Sequence, residues 1–172
     1  MKLIVISSPT AVPNEHEILN SLFEEEMEQF QIHKPNFSKE EIKQFVQQIP
    51  FKYHNKIALH SSFPKFHSLK ELEEHKEKYE YAILSPIFDS ISKTGYKSKF
   101  DLQELKKIVP SLSGEGQGGV IALGGIDEDK IESCRTIGFS GVAVLGAIWD
   151  NNSPIEKFKR LKALCQKKDL VF

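Results

Sequence analysis

The 172-residue sequence contains no apolar run close to the roughly 20 residues that a membrane-crossing helix needs, so no membrane partner is expected. It is poor in cysteine. Cys134 and Cys165 lie in helix-like segments, without the paired spacing of metal or redox motifs. Two core thiols in a reduced, cytoplasmic protein are the expectation. Charge imbalance is almost absent: 23 Lys and Arg face 24 Asp and Glu, for a formal net charge of -1. No nucleic-acid or anionic-membrane partner is expected from such a balance. The N-terminal residues 1–8 carry one basic residue and a very short apolar stretch, too little for a signal peptide and better suited to a buried strand. Internal repeats are missing, and the only biased segment is the glycine-rich link at residues 113–119.

What is present is a single domain's worth of chain, residues 1–172, with 40% hydrophobic residues for one core. Short β-rich runs at 3–7, 29–33, 56–60, 80–84, 120–123 and 141–145 alternate with amphipathic segments. Helix starts are predicted where a polar cap precedes a glutamate by three: Asn14 and Glu17, Ser38 and Glu41, Ser68 and Glu71, Asp101 and Glu104. Asp127 is a further cap, for a helix ending at Gly138. The last helix starts near Pro154 and buries Ile155, Phe158, Leu161 and Leu164, leaving its lysines as a solvated face.

Strand–helix alternation predicts parallel strands joined by crossovers. The late strands are apolar without alternation, as strands covered on both faces are. Periodicity does not separate a barrel from an open sheet. The placement of polar residues favours the barrel: Ser7-Ser8, His33-Lys34, His60-Ser61, Ser85, Gly124-Gly125 and Gly146 all end predicted strands. In a parallel (β/α) barrel those ends form one mouth, where active sites are built.

Gly124-Gly125 and Leu145-Gly146 follow consecutive strands. Glycines there let backbone N–H groups approach an anion, which suits a phosphate cup, although tight turns alone would also ask for them. Ser90, Ser92 and Lys93 follow another strand in "SPIFDSISK" and offer hydroxyl donors and a point charge to phosphate, the alternative being an ordinary polar loop. His33, His60 and His67 sit near strand ends, yet no short-spacing ligand motif supports a zinc site.

These segments resemble a known family. Ser85-Pro86-Ile87-Phe88 followed by Ser90-Ile91-Ser92-Lys93 resembles the "GPIF-x-T-x-T-K" segment of the thiamine phosphate synthase/TenI family. Residues 121–126 resemble its "AIGGI", and residues 141–148 its "GVAVVSAI". More loosely, residues 31–35 resemble its "QLREK" strand end and residues 67–71 its "HSLEE" helix start. The resemblance implies a TIM-type (β/α) barrel, thiamine biosynthesis, and the joining of thiazole phosphate to an aminopyrimidine pyrophosphate with loss of pyrophosphate. It implies that Ser90, Ser92 and Lys93 contact pyrophosphate or product. The backbone at Gly124, Gly125, Leu145 and Gly146 would hold the thiazole phosphate. Catalytic roles would fall to His33, Lys93 and His67. Mg²⁺ is the implied cofactor, with no identifiable ligands, and a homodimer is compatible with this reading.

The sequence departs from the pattern in three places. His33 replaces the arginine of the second strand, losing a permanent charge and a bidentate fork. The third strand ends His60-Ser61-Ser62, where the family's "NDR" carries a magnesium aspartate, and its "GQED"-like segment has no counterpart. Only residues 62–67 separate the third strand from the helix that normally follows strand five, with Lys65-Phe66-His67 as a short seventh strand. Either the barrel lacks one strand–helix unit, being open or completed by a partner, or about 30 residues of such a unit are missing from this sequence. The second reading is preferred, because everything around the gap reads as barrel. Two other functions share these motifs. One is a TenI-like aminothiazole phosphate tautomerase using His33 or His67 for proton transfer, although Pro86 stands where some such members carry histidine. The other is a non-catalytic thiazole or thiamine phosphate-binding regulator.

Overall fold

A computed structural model describes residues 1–75, 81–89, 97–112 and 119–167. Among these residues seven strands form one sheet: β1 (Lys2–Ile6), β2 (Gln29–Ile32), β3 (Ile57–Leu59), β4 (Lys65–Phe66), β5 (Tyr81–Leu84), β6 (Gly119–Leu123) and β7 (Gly141–Val144). Every pairing is parallel, and the strand order is β3-β2-β1-β7-β6-β5-β4. β7 pairs with β1, as the last and first strands of a closed barrel do. The two edges are β3 and β4, which are consecutive in the chain and joined only by a one-turn 3₁₀ segment, His60–Ser62. The barrel therefore lacks one strand–helix unit at this seam and is a curled, opened (β/α) barrel.

Strand alternation sorts the apolar residues into two layers. Leu3, Val5, Phe30, Ile32, Ala82, Leu84, Val120, Ala122, Val142 and Val144 join the large cluster beneath the helices. Ile4, Ile6, Ile83, Ile121 and Ala143 form a smaller second cluster, which is the barrel interior. Both faces of β1, β5, β6 and β7 are thus apolar, which is why these strands read as continuous hydrophobic runs. β2 differs. Its inner face carries Gln31, fully buried between Phe30 and Ile32.

Helices α1 (Glu15–Glu24), α2 (Lys39–Gln47), α3 (Leu69–His75), α4 (Leu102–Ile108), α5 (Ile131–Ile137), α6 (Gly146–Trp149) and α7 (Pro154–Gln166) cover the outer face. α2 begins with a complete Ser38–Glu41 capping box, and Asp101 caps α4 through Gln103 N–H and Glu104 N–H. At α3, Ser68 Oγ accepts from Glu71 N–H, whereas the Glu71 carboxylate takes His67 N–H. Asn14 precedes α1, but in the left-handed region (φ 56°) and without a side-chain cap bond, so the expected Asn14–Glu17 box does not form. Asp127 caps the 3₁₀ turn Glu128–Lys130, and α5 ends on Gly138 at φ 99°. Both cysteines are core residues, as expected; burial pushes the Cys134 thiol up to about 12 and the Cys165 thiol up to about 11.

The basic face of α7 is more engaged than a solvated stripe. Lys157 bridges Asp127 and Glu128, Arg160 also meets Glu128, and Lys162 meets Glu26. Hydrogen bonds from Lys157 and Arg160 hold the Glu128 carboxyl below its usual range. No helix among the described residues is long and apolar enough to cross a membrane.

Candidate functional site

Parallel pairing brings all the strand ends to one side. The register aligns Ile6 with Gln31, Ile32 with Leu59, Leu84 with both Phe66 and Ala122, and Leu123 with Ala143. Ser7, His33, His60, His67, Ser85, Gly124 and Gly146 follow those positions, so the predicted mouth is formed. Ser90, Ser92 and Lys93 lie outside the described residues. The neck of their loop is described: the Asp89 carboxylate accepts from Ser98 N–H at 2.9 Å, tying the segment's two ends together.

The Gly124-Gly125 turn has a local structural reason. Ile87 N–H donates to Leu123 O at 2.9 Å and Phe88 N–H to Gly124 O at 3.1 Å. This lays the Pro86–Asp89 segment directly on the turn. A Cβ on Gly124 would sit 2.7 Å from Pro86 Cβ, and one on Gly125 would run into Asp89 O. Both residues also hold positive φ, 98° and 63°. The motifs "SPIF" and "LGGI", read separately in the sequence, are one packed unit.

On the next strand, Gly146 opens α6, a single turn whose N-terminal end faces the mouth. The first amides of such a turn have no intrahelical acceptor. Trp149, from the same turn, donates its indole N–H to Ile6 O at 2.6 Å and so fastens α6 over the end of β1. Gly124, Gly125, Leu145 and Gly146 thus lie at the ends of adjacent strands.

A nitrogen-rich cluster occupies the other side of the mouth. His33 N–H donates to Ser7 Oγ at 2.7 Å, and the His33 and His60 rings meet edge to face at 5.1 Å. His60, only 5% exposed, bonds through Nδ1 to Gln31 Oε1 at 2.7 Å. Burial, with the nearby Lys65 and His33 charges, lowers its pKa to about 4, so it is neutral at pH 7. Because Gln31 Oε1 accepts, Nδ1 carries the proton. The buried Gln31 Nε2 has no partner among the described residues, an arrangement that costs about 1–3 kcal/mol when no acceptor is supplied. His67 is exposed, and its Nδ1 donates to Ser85 O at 2.8 Å, leaving Nε2 as the open ring nitrogen.

Sequence reasoning missed two features. The isolated polar residue on the inner face of β2 was the available signal for Gln31. Lys34, at the same strand end, looks like a free cation in the sequence. Instead its ammonium meets both Glu15 oxygens at 2.8 and 2.6 Å, with Thr10 O at 3.0 Å, and the pair is buried. Its charge is spent inside the fold.

Magnesium requires several oxygen ligands. Around this mouth Glu15 is bound to Lys34, Asp89 to Ser98 N–H, and Asp127 to Lys157. No group of three His, Cys, Asp or Glu side chains suited to a metal ion occurs among the described residues. The donor set there is nitrogen and hydroxyl, which does not fit Mg²⁺. Two cavities of about 500 Å³ lie between helices, one between α1 and α2 beside His16 and Phe45, the other between α1 and the start of α7.

A family model described as thiamine monophosphate synthase matches residues 65–148. A solved thiamine phosphate pyrophosphorylase from Bacteroides thetaiotaomicron superposes with TM-score 0.78 at 28% identity, covering 95% of this chain and 97% of that one. A thiamine phosphate pyrophosphorylase from Pyrococcus furiosus gives TM-score 0.74 at 17% identity, covering 96% and 95%. The geranylgeranylglyceryl phosphate synthase of Thermoplasma acidophilum, solved with sn-glycerol-1-phosphate, gives 0.59 at 14%, covering 96% and 93%; at such identity the likeness is one of fold. No curated protein matches the chain. The resemblance to the thiamine phosphate synthase/TenI family, drawn from the motifs, is borne out.

Proposed function

From its kinship with the thiamine phosphate synthase/TenI family we propose that this protein is a transferase of thiamine biosynthesis. It joins thiazole phosphate to the aminopyrimidine with loss of pyrophosphate. The observation that carries this reading is the packed unit of "SPIF" on "LGGI" beside the Gly146 turn, in a chain whose solved neighbour at 28% identity is a thiamine phosphate pyrophosphorylase. Backbone amides at Gly124, Gly125, Leu145 and Gly146 hold the thiazole phosphate, where close approach to an anion needs no side chain. Ser90, Ser92 and Lys93 meet the pyrophosphate, by their place in the motif. His33 and His67 stand at the mouth as proton carriers or hydrogen-bond partners. Magnesium is implied by the family, but the donors among the described residues of the mouth do not suit it.

One observation favours a second reading. Among the described residues the mouth carries histidines without a carboxylate cluster, and His67 keeps an open Nε2 fixed by the Ser85 carbonyl. That arrangement suits proton transfer on a thiazole phosphate without metal, the tautomerase chemistry. Incubation with both phosphorylated precursors, with Mg²⁺ and with EDTA, tests the choice. Thiamine phosphate formation supports the synthase. Isomerisation of the aminothiazole phosphate in EDTA, with no coupled product, replaces it by the tautomerase. Tight binding of thiazole phosphate with neither conversion would leave only a non-catalytic binder.

A further inference from the structure

α2 packs on the core through Ile42, Phe45, Val46 and Ile49. Its flank towards α1 is made differently. Glu41, Gln44, Phe45 and Gln48 follow the i, i+3, i+4, i+7 spacing of one helical face, and three of the four are polar. Together with His16 and Glu17 of α1 and Phe37 from the loop before α2, they line a groove of about 500 Å³. A flank meant only for helix packing would be apolar and closed; this one leaves a space of small-molecule size. Its rings are held in place. His16 and Phe45 lie 4.6 Å apart between centroids, and Phe37 meets Phe45 edge-on at 6.5 Å. His16 Nε2 is bonded to Phe45 O at 3.1 Å, which ties the imidazole to α2 and leaves Nδ1 as its remaining nitrogen. The charge in the groove is of one sign. Glu17 and Glu41 are exposed, and hydrogen bonds from Ser38, the backbone N–H first, hold the Glu41 carboxyl below its usual range. Glu15 also lines the groove, but Lys34 offsets it at 2.6 Å; that ammonium, 5.3 Å from the Phe45 centroid, is buried with its partner. Among the described residues no lysine or arginine lines the groove. Aromatic faces beside two unpaired carboxylates are complementary to a flat cation.

We propose that the groove between α1 and α2 is a second ligand site, for a phosphate-free heteroaromatic cation whose ring lies against Phe37, Phe45 and His16 and whose charge is answered by Glu17 and Glu41. The identity of that cation rests on the proposed function. Joining a thiazole to the aminopyrimidine through the ring nitrogen leaves a permanent positive charge on the thiazole, as in thiamine. The same carboxylates that attract this ring repel a phosphate, so the groove separates thiamine from thiamine phosphate, whereas the mouth takes the phosphorylated species. Binding in the groove is reversible and makes or breaks no covalent bond.

Titration of the ¹⁵N-labelled full chain with thiamine, and separately with thiamine phosphate, tests the site by amide chemical shifts. Thiamine should give saturable shifts at His16, Phe37, Gln44, Phe45 and Gln48 that added thiazole phosphate does not reverse. Thiamine phosphate should move these amides only at about tenfold higher concentration or more. Gln44 is exposed on α2, so its charge can be changed in both directions without touching the core. Gln44→Lys should weaken thiamine binding about tenfold and Gln44→Glu should tighten it, a pair of opposite effects that loss of folding cannot produce. Shifts confined to Gly124, Gly125 and Gly146, equal affinity for both ligands at the groove amides, or unchanged affinity in both Gln44 variants overturns the site. A chain that makes thiamine phosphate yet shows no groove shifts with thiamine keeps the functional reading and loses this one. A chain that shows the groove shifts but makes no thiamine phosphate keeps the cation site and loses the functional reading.

Discussion

His60 is where the chemistry of this mouth departs most from a magnesium site, and it also makes stability depend on pH. Its folded pKa is depressed from 6.5 to about 4, first by burial and then by Lys65 and His33. The unfolded chain therefore binds more protons between those values, so the stabilisation is complete above pH 6.5 and is lost as pH falls towards 4. The full effect is on the order of 3 kcal/mol. In urea titrations, wild type should lose about that much more stability from pH 7 to pH 4 than His60→Asn does. Equal losses would mean that the ring is not held neutral by the fold. The motif glycines were legible at this scale, since Gly124-Gly125 and Gly146 do stand at adjacent strand ends. Their packing reason was not, because Pro86 and Asp89 reach Gly124 and Gly125 only after two loops have folded together.

Elements form here for reasons that a linear reading catches unevenly. The Ser38–Glu41 box is local, with donors and acceptors three residues apart, and the sequence announces it. α1 starts where expected but draws its anchorage from elsewhere, since Glu15 of its first turn is clamped by Lys34 after β2. No spacing rule links residues 15 and 34. The two devices should differ in energetic weight. Ser38→Ala removes an exposed cap and should cost about 1 kcal/mol. Glu15→Ala leaves a buried ammonium unpaired and should cost about 3–5 kcal/mol. Denaturation midpoints check the order, and a Glu15→Ala loss no larger than that of Ser38→Ala would show that the buried pair does not hold α1 to the sheet. α7 teaches a similar lesson: its lysines look solvated by periodicity, yet Lys157 and Lys162 reach acidic partners more than 25 residues distant in the chain.

Over the whole molecule, parallel alternation and polar strand ends predicted a barrel mouth, and seven parallel strands with β7 on β1 deliver it. The short strand at Lys65–Phe66 and the narrow gap before it were also readable. The outcome at the gap was not, because propensity does not say whether a sheet closes. The chain as it stands leaves β3 and β4 as edges. Exposed Leu59 lies at that seam, and light scattering can decide whether the chain forms a homodimer in solution. The proposed function places a thiazole phosphate on backbone amides after β6 and β7. Amide chemical shifts of the ¹⁵N-labelled chain, followed during titration with thiazole phosphate, test it most directly. Saturable shifts led by Gly124, Gly125, Gly146 and Ala147 are expected. Shifts confined to the helices at the opposite end of the strands, or none at millimolar ligand, would contradict it.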